Sequence, residues 1–164
     1  MKTNRQKHTL RILATLLISV VAIIMGGMIY VLFRTQEFRF FRWAEALGAS
    51  QVLYDWRNNF LNGSLQLPRW VVYSLPEGLW ALAYGLFIAT IWNGQRGWIK
   101  YLWMATVPLL PAVYELLQYL DRIPGTGCLT DLLVGLAGGG LGIVLALILI
   151  PDSRSPKSRL AGTL

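Results

Sequence analysis

Four stretches of the chain are almost wholly apolar, and each is about as long as a helix that crosses a membrane. They cover residues 12–33, 70–92, 101–120 and 132–150. A bilayer core takes roughly 20 apolar residues in an α-helix, and the first and last stretches contain no charged residue. The pattern therefore predicts an all-α integral membrane protein whose core is a bundle of four transmembrane helices.

The segment at 34–69, between the first two apolar stretches, has a different pattern. Apolar side chains recur there at spacings of three and four residues, close to arginines, which is typical of amphipathic helices at a membrane interface. We predict one or two short interfacial helices on the outer side of the membrane. The residues that carry the pattern are Arg34, Phe38, Arg39, Phe40, Phe41, Arg42, Trp43, Leu47, Val52, Leu53, Trp56, Phe60 and Leu61.

The composition supports a membrane protein. Of 164 residues, 55% are hydrophobic and 14% are charged, whereas soluble domains have roughly 25% charged residues. A chain this short and this apolar cannot bury its apolar surface in one soluble core, because small domains leave much of their surface exposed.

The net charge of +7 would also suit a nucleic-acid-binding protein, but the positions of the charges indicate membrane topology instead. Lysine and arginine concentrate in the segments at 1–11, 93–100 and 151–164. Because cytoplasmic segments carry an excess of these residues, we expect these three segments and both termini to be cytoplasmic. The segments at 34–69 and 121–131 are then external, and we expect no nucleic-acid partner.

Cys128 and His8 are the only residues of their types, and this limits the possible chemistry. A single cysteine cannot form an intramolecular disulfide. A lone histidine in a basic tail provides neither a Ser-His-Asp triad nor a histidine-rich metal site. We therefore predict no catalytic residue, no metal and no cofactor, and an enzyme is the weaker interpretation.

Two carboxylates lie inside the predicted spans. At a rise of about 1.5 Å per residue, Glu77 is about 10 Å and Glu115 about 7–8 Å from the outer ends of their spans. Charges at that depth are costly unless they are paired, hydrated or protonated, so both should face the bundle interior. We predict a ligand-binding polar cluster at the outer end of the bundle, formed by Glu77, Glu115, Gln118, Arg122, Thr126 and Asp131.

The fourth apolar stretch is rich in glycine. Gly135, Gly138 and Gly142 recur at spacings of three and four residues and so share one helix face. Small residues at such spacings allow helix backbones to approach closely. We predict that these three glycines are helix-packing residues.

The sequence is compatible with two functions. In the first, the outer-leaflet pocket binds an envelope lipid, a lipid-linked precursor or an amphiphilic antibiotic: Arg122 contacts phosphate, while Glu77 and Glu115 accept from hydroxyls or amines. In the second, the chain is a non-catalytic structural or accessory subunit that docks another membrane protein or forms a homo-oligomer. A lipid-modifying enzyme would need a nucleophile with its base, and a proton-coupled carrier typically shows an inverted repeat; the sequence offers neither.

The last two spans resemble the VanZ-like family. The resemblance is carried by Glu115-x-x-Gln118, a short loop that contains glycine and threonine, and Asp131 at the start of a glycine-rich final helix. The family's usual loop arginine falls where Gly125 and Thr126 stand in this chain. These are small bacterial multi-span membrane proteins, named for a member associated with resistance to a glycopeptide antibiotic. The resemblance implies a multi-pass protein of the bacterial cytoplasmic membrane with a role at the cell envelope. The chain lacks the Asp-Lys and His-Phe pairs that the family commonly has on an earlier helix.

Overall fold

The computed structural model describes residues 2–34, 39–61 and 67–151, and these residues form helices and turns without any strand. The prediction of an all-helical chain is therefore confirmed. The seven helices are α1 (Lys2–Phe33), α2 (Arg39–Ala46), α3 (Ser50–Leu61), α4 (Arg69–Tyr73), α5 (Leu75–Ile91), α6 (Trp98–Tyr119) and α7 (Leu129–Leu149).

The helices follow the predicted segments with shifted boundaries. The basic N-terminal segment is part of α1, which begins at Lys2, ten residues before the apolar stretch. The predicted interfacial segment contains the short helices α2 and α3. The second apolar stretch is divided at Ser74 into α4 and α5. Of the predicted C-terminal tail, residues 152–164 lie outside the described residues.

The division at Ser74 has a clear cause in the sequence. Pro76 has no backbone N–H and its ring clashes with the preceding turn, so proline is tolerated in the first turn of a helix and disfavoured in its interior. Pro76 lies in the first turn of α5. The chain therefore starts a new helix here and places Glu77 in that first turn.

Helix α5 packs against α1, α6 and α7. A Cβ atom on Gly138 would lie closer than 3.0 Å to the backbone oxygen of Gly78, and one on Gly142 equally close to the oxygen of Leu82. Because both contacts advance by four residues in the same direction, α5 and α7 run parallel. The close backbone approach requires glycine at both α7 positions.

The other two long helices run antiparallel to α5 and α7. On α6, Pro111 packs against Gly135, while Val107, one turn earlier, packs against Gly139. On α1, the carbonyl oxygen of Ile23 accepts a hydrogen bond of 3.3 Å from the indole nitrogen of Trp80, and Arg34 reaches back to Glu77. The carboxyl ends of α1 and α6 therefore lie at the same end of the bundle as the amino ends of α5 and α7.

Two of the described helices are long and apolar enough to cross a membrane. They are α1 from Arg5 to Phe33 and α7 from Leu129 to Leu149, while α5 is apolar but shorter. Only 22% of the most apolar part of α1 and 28% of that of α7 is buried within the protein. Most of their apolar side chains therefore face outward, unlike those of a core helix in a soluble protein.

Candidate functional site

Three carboxylates from three helices meet at this end of the bundle. Glu77, Glu115 and Asp131 each contribute an oxygen, and these oxygens all lie within 4.8 Å of one another. Glu77 and Asp131 are in the first turns of α5 and α7, where free backbone N–H groups and the helix dipole favour a negative charge. The two parallel helices therefore present their positive ends to this cluster.

Glu115 is buried, with 6% of its surface exposed, and it connects α6 to the start of α7. Its Oε2 accepts a hydrogen bond of 2.7 Å from the backbone N–H of Cys128, the residue that precedes α7. A carboxylate that accepts from a backbone N–H at a helix start forms a charge-assisted hydrogen bond, which is stronger than a neutral one. Glu115 thereby ties the loop between α6 and α7 to α6.

The positive charge at the cluster comes from Arg34, at the end of α1. Its Nη2 lies 3.6 Å from Oε1 of Glu77 and donates to the carbonyl oxygen of Tyr73 at 2.8 Å. The guanidinium carbon also lies 4.8 Å from the ring centroid of Tyr30 and 5.5 Å from that of Tyr73, within the range of cation–π attraction. Arg34 is thus held by α1, α4 and α5 at once.

Gln118 lies one turn beyond Glu115 on α6 and is also buried, with 8% of its surface exposed. Gly125 packs against its amide group: a Cβ atom on Gly125 would lie closer than 3.0 Å to the side chain of Gln118. Gly125 also has a φ of 138°, which side-chain-bearing residues rarely adopt. The turn at Gly125 therefore lets the loop between α6 and α7 cover Gln118.

The remaining two predicted ligand-binding residues are more exposed than the other four. Arg122 and Thr126 are exposed, and within the described part of the chain neither side chain forms a hydrogen bond or an ion pair with the carboxylates. The arginine at the cluster is Arg34 instead. Its signal in the sequence is its position directly after the first apolar stretch; the sequence pattern assigns Arg34 only to the interfacial segment.

The predicted packing glycines lie at helix contacts. Gly135, Gly138 and Gly142 are all buried. Gly138 and Gly142 face the α5 backbone, and Gly135 faces Pro111 of α6. Together they bring α7 close enough to α5 and α6 for Asp131 to reach the other two carboxylates.

The arrangement is suited to a cationic group. Two oxygens that bind one Ca²⁺ at about 2.3–2.6 Å can be no more than about 5 Å apart, which matches the carboxylate spacing. An ammonium group, with three N–H donors, suits such a set of acceptors equally well. Among the residues that the structure describes, one guanidinium faces three carboxylates, so these groups together carry excess negative charge when all three carboxylates are ionised.

Comparisons with known proteins found no relative: no protein-family model matches the chain, and no curated protein or solved structure matches it.

Proposed function

We propose that this chain is a VanZ-like, multi-pass protein of the bacterial cytoplasmic membrane that binds the headgroup of an envelope amphiphile at its outer face. The ligand is an envelope lipid, a lipid-linked precursor or an amphiphilic antibiotic, and it presents an amine. The observation that carries the proposal is the convergence of Glu77, Glu115 and Asp131 with Arg34 at one end of the bundle.

The directions of the helices support four spans. Because α1 and α6 run antiparallel to α5 and α7, the order along the chain is up, down, up, down, as four consecutive membrane crossings require. The positive-inside distribution then puts both termini in the cytoplasm and the cluster at the external end. The outward-facing apolar surfaces of α1 and α7 support lipid as the surrounding medium.

The charge of the cluster supports an amine as the ligand group. Three carboxylates near one guanidinium in a low-dielectric setting are costly unless further positive charge or hydrogen-bond donors approach them. A headgroup amine would supply both. Our sequence hypothesis that Arg122 contacts a ligand phosphate has no support from the geometry, since Arg122 is exposed, so phosphate recognition is not part of this proposal.

A structural or accessory subunit is the second candidate. The hydrogen bond from Cys128 to Glu115 and the ion pair of Arg34 with Glu77 join elements that are distant in sequence. Such contacts would also be expected in a bundle that only docks a partner membrane protein or a second copy.

Native mass spectrometry of the protein extracted in native-lipid particles separates the two functions. The proposal expects an added mass of an amine-bearing amphiphile that is lost in Glu77→Gln and kept in Glu45→Gln, a matched change at an exposed carboxylate on α2. An added mass equal to a metal ion would show that the cluster binds a cation but not an amphiphile. A bare chain, or one bound to a stoichiometric protein partner, would favour the subunit function.

A further inference from the structure

A second feature lies on another face of α1, where an apolar groove of about 270 Å³ runs between α1 and α3. It is lined by Ile24, Gly27, Met28 and Val31 from α1 and by Leu53 and Trp56 from α3. The contact of α1 with α5 uses other positions, including Gly26 and the carbonyl of Ile23. The groove is therefore separate from the contact that supports the carboxylate cluster.

The absence of a side chain at Gly27 leaves open space in the groove. A Cβ atom on Gly27 would have no atom within 4 Å, whereas one on Gly26 would lie closer than 3.0 Å to Trp80. Of these two consecutive glycines, one is needed for packing and the other leaves open space. The space at Gly27 adjoins the apolar walls and could be filled by a larger side chain without displacing any described part of the protein.

A positive charge stands at the rim of the groove. Nη1 of Arg57 donates a hydrogen bond of 3.3 Å to the carbonyl oxygen of Val31, one of the lining residues. This bond joins the guanidinium of Arg57 on α3 to the α1 backbone at the groove, and Trp56, its neighbour in the chain, is part of the groove lining. Arginine and tryptophan are both favoured at the level of lipid headgroups.

We propose that this groove binds one acyl chain of an anionic phospholipid whose phosphate lies at Arg57. The α1 wall, from Ile24 to Leu32, spans about 12 Å at 1.5 Å per residue, and it belongs to a helix apolar enough to cross a membrane. Hydrocarbon matches the apolar walls, and a phosphate matches the charge at the rim. The proposal rests on membrane residence but not on ligand binding at the carboxylate cluster.

The test uses the full chain in vesicles of phosphatidylcholine and phosphatidylglycerol. A trace of phosphatidylglycerol with a photoactivatable acyl chain is added, and the adducts are mapped by mass spectrometry. We expect adducts on the segment containing Leu53 and Trp56. Their absence from the wild-type chain, or crosslinks joining two copies of the chain through α3, would overturn the proposal.

Filling the groove provides the matched comparison. Gly27→Phe should reduce the α3 adducts at least about fivefold, since a phenyl ring would occupy the space of the acyl chain. Gly140→Phe is the control, because Gly140 is also a helical glycine with open space around it. Gly27→Leu serves as a milder second variant. Equal α3 labelling in wild type and in both Gly27 variants would contradict the proposal.

The headgroup preference tests Arg57 separately. The wild-type chain should prefer a phosphatidylglycerol probe to a phosphatidylcholine probe with the same acyl chain by about fivefold, the effect of one basic residue near a lipid surface. Arg57→Gln should lose this preference, and Arg57→Lys should retain it. A wild-type chain without preference would overturn the assignment of an anionic lipid. A loss of ligand mass in Glu77→Gln, by contrast, would leave these labelling results unchanged.

Discussion

The carboxylate of Glu115 accepts a hydrogen bond from the backbone N–H of Cys128, thirteen residues further along the chain, at 2.7 Å. The bond joins the buried face of α6 to the residue that immediately precedes α7. It also fixes the position of a carboxylate that lies within 4.8 Å of two others. The contact that fixes the loop between α6 and α7 thereby also helps to build the candidate site.

Glu115→Ala should therefore destabilise the protein by about 2 kcal/mol, because it removes a charge-assisted hydrogen bond and leaves a backbone donor without its acceptor. Thermal or denaturant unfolding in mild detergent measures the loss. Glu45→Ala, at an exposed carboxylate on α2, should change stability by less than about 0.5 kcal/mol. Equal effects of the two substitutions would contradict a structural role for the Glu115 bond.

Arg34 and Glu77 should be energetically coupled. Arg34→Gln leaves excess negative charge in the cluster and should cost about 2 kcal/mol, whereas adding Glu77→Gln should recover part of that loss because the uncompensated charge is removed. A double-mutant cycle on unfolding free energies should give a coupling of about 1 kcal/mol or more. Strictly additive effects would show that the 3.6 Å ion pair contributes nothing to folding.

The parallel contact of α5 and α7 predicts opposite effects of one substitution at two nearby glycines. Gly138→Ala places a Cβ against the backbone oxygen of Gly78 and should cost about 1–3 kcal/mol, as overpacking does. Gly140→Ala enters open space and should be neutral or stabilise by up to about 1 kcal/mol through helix propensity. Unfolding in detergent measures both. The prediction fails if the two variants are equally stable.

The proposed topology predicts that Cys128 reacts from outside the cell. Cys128 is partly exposed, so a membrane-impermeant maleimide should label it in intact cells. In a Cys128→Ser background, Lys7→Cys should react only after permeabilisation, because the proposed N-terminus is cytoplasmic. Labelling of Cys128 only after lysis would reverse or exclude the proposed orientation.

The sequence by itself determined the helical class and the positions of the apolar helices, because a hydrophobic run is a local property of the chain. It also indicated the three residues whose carboxylates meet. Carboxylates within apolar stretches must avoid lipid, so Glu77 and Glu115 had to face the interior, and Asp131 lies where the last apolar stretch begins. The glycines of α7 were recognisable for a similar reason, since their spacing defines one helix face.

Only the tertiary structure decided which arginine joins the cluster. Arg122 shares a helix face with Glu115 in the sequence pattern, but α6 ends at Tyr119, so the helical spacing that would have aligned them does not extend to residue 122. Arg34 comes from another helix, and its approach to Glu77 depends on how α1 packs against α5. The groove between α1 and α3 likewise depends on how these two helices pack against each other. Contacts between distant segments depend on the packing of whole helices, which local periodicity does not encode.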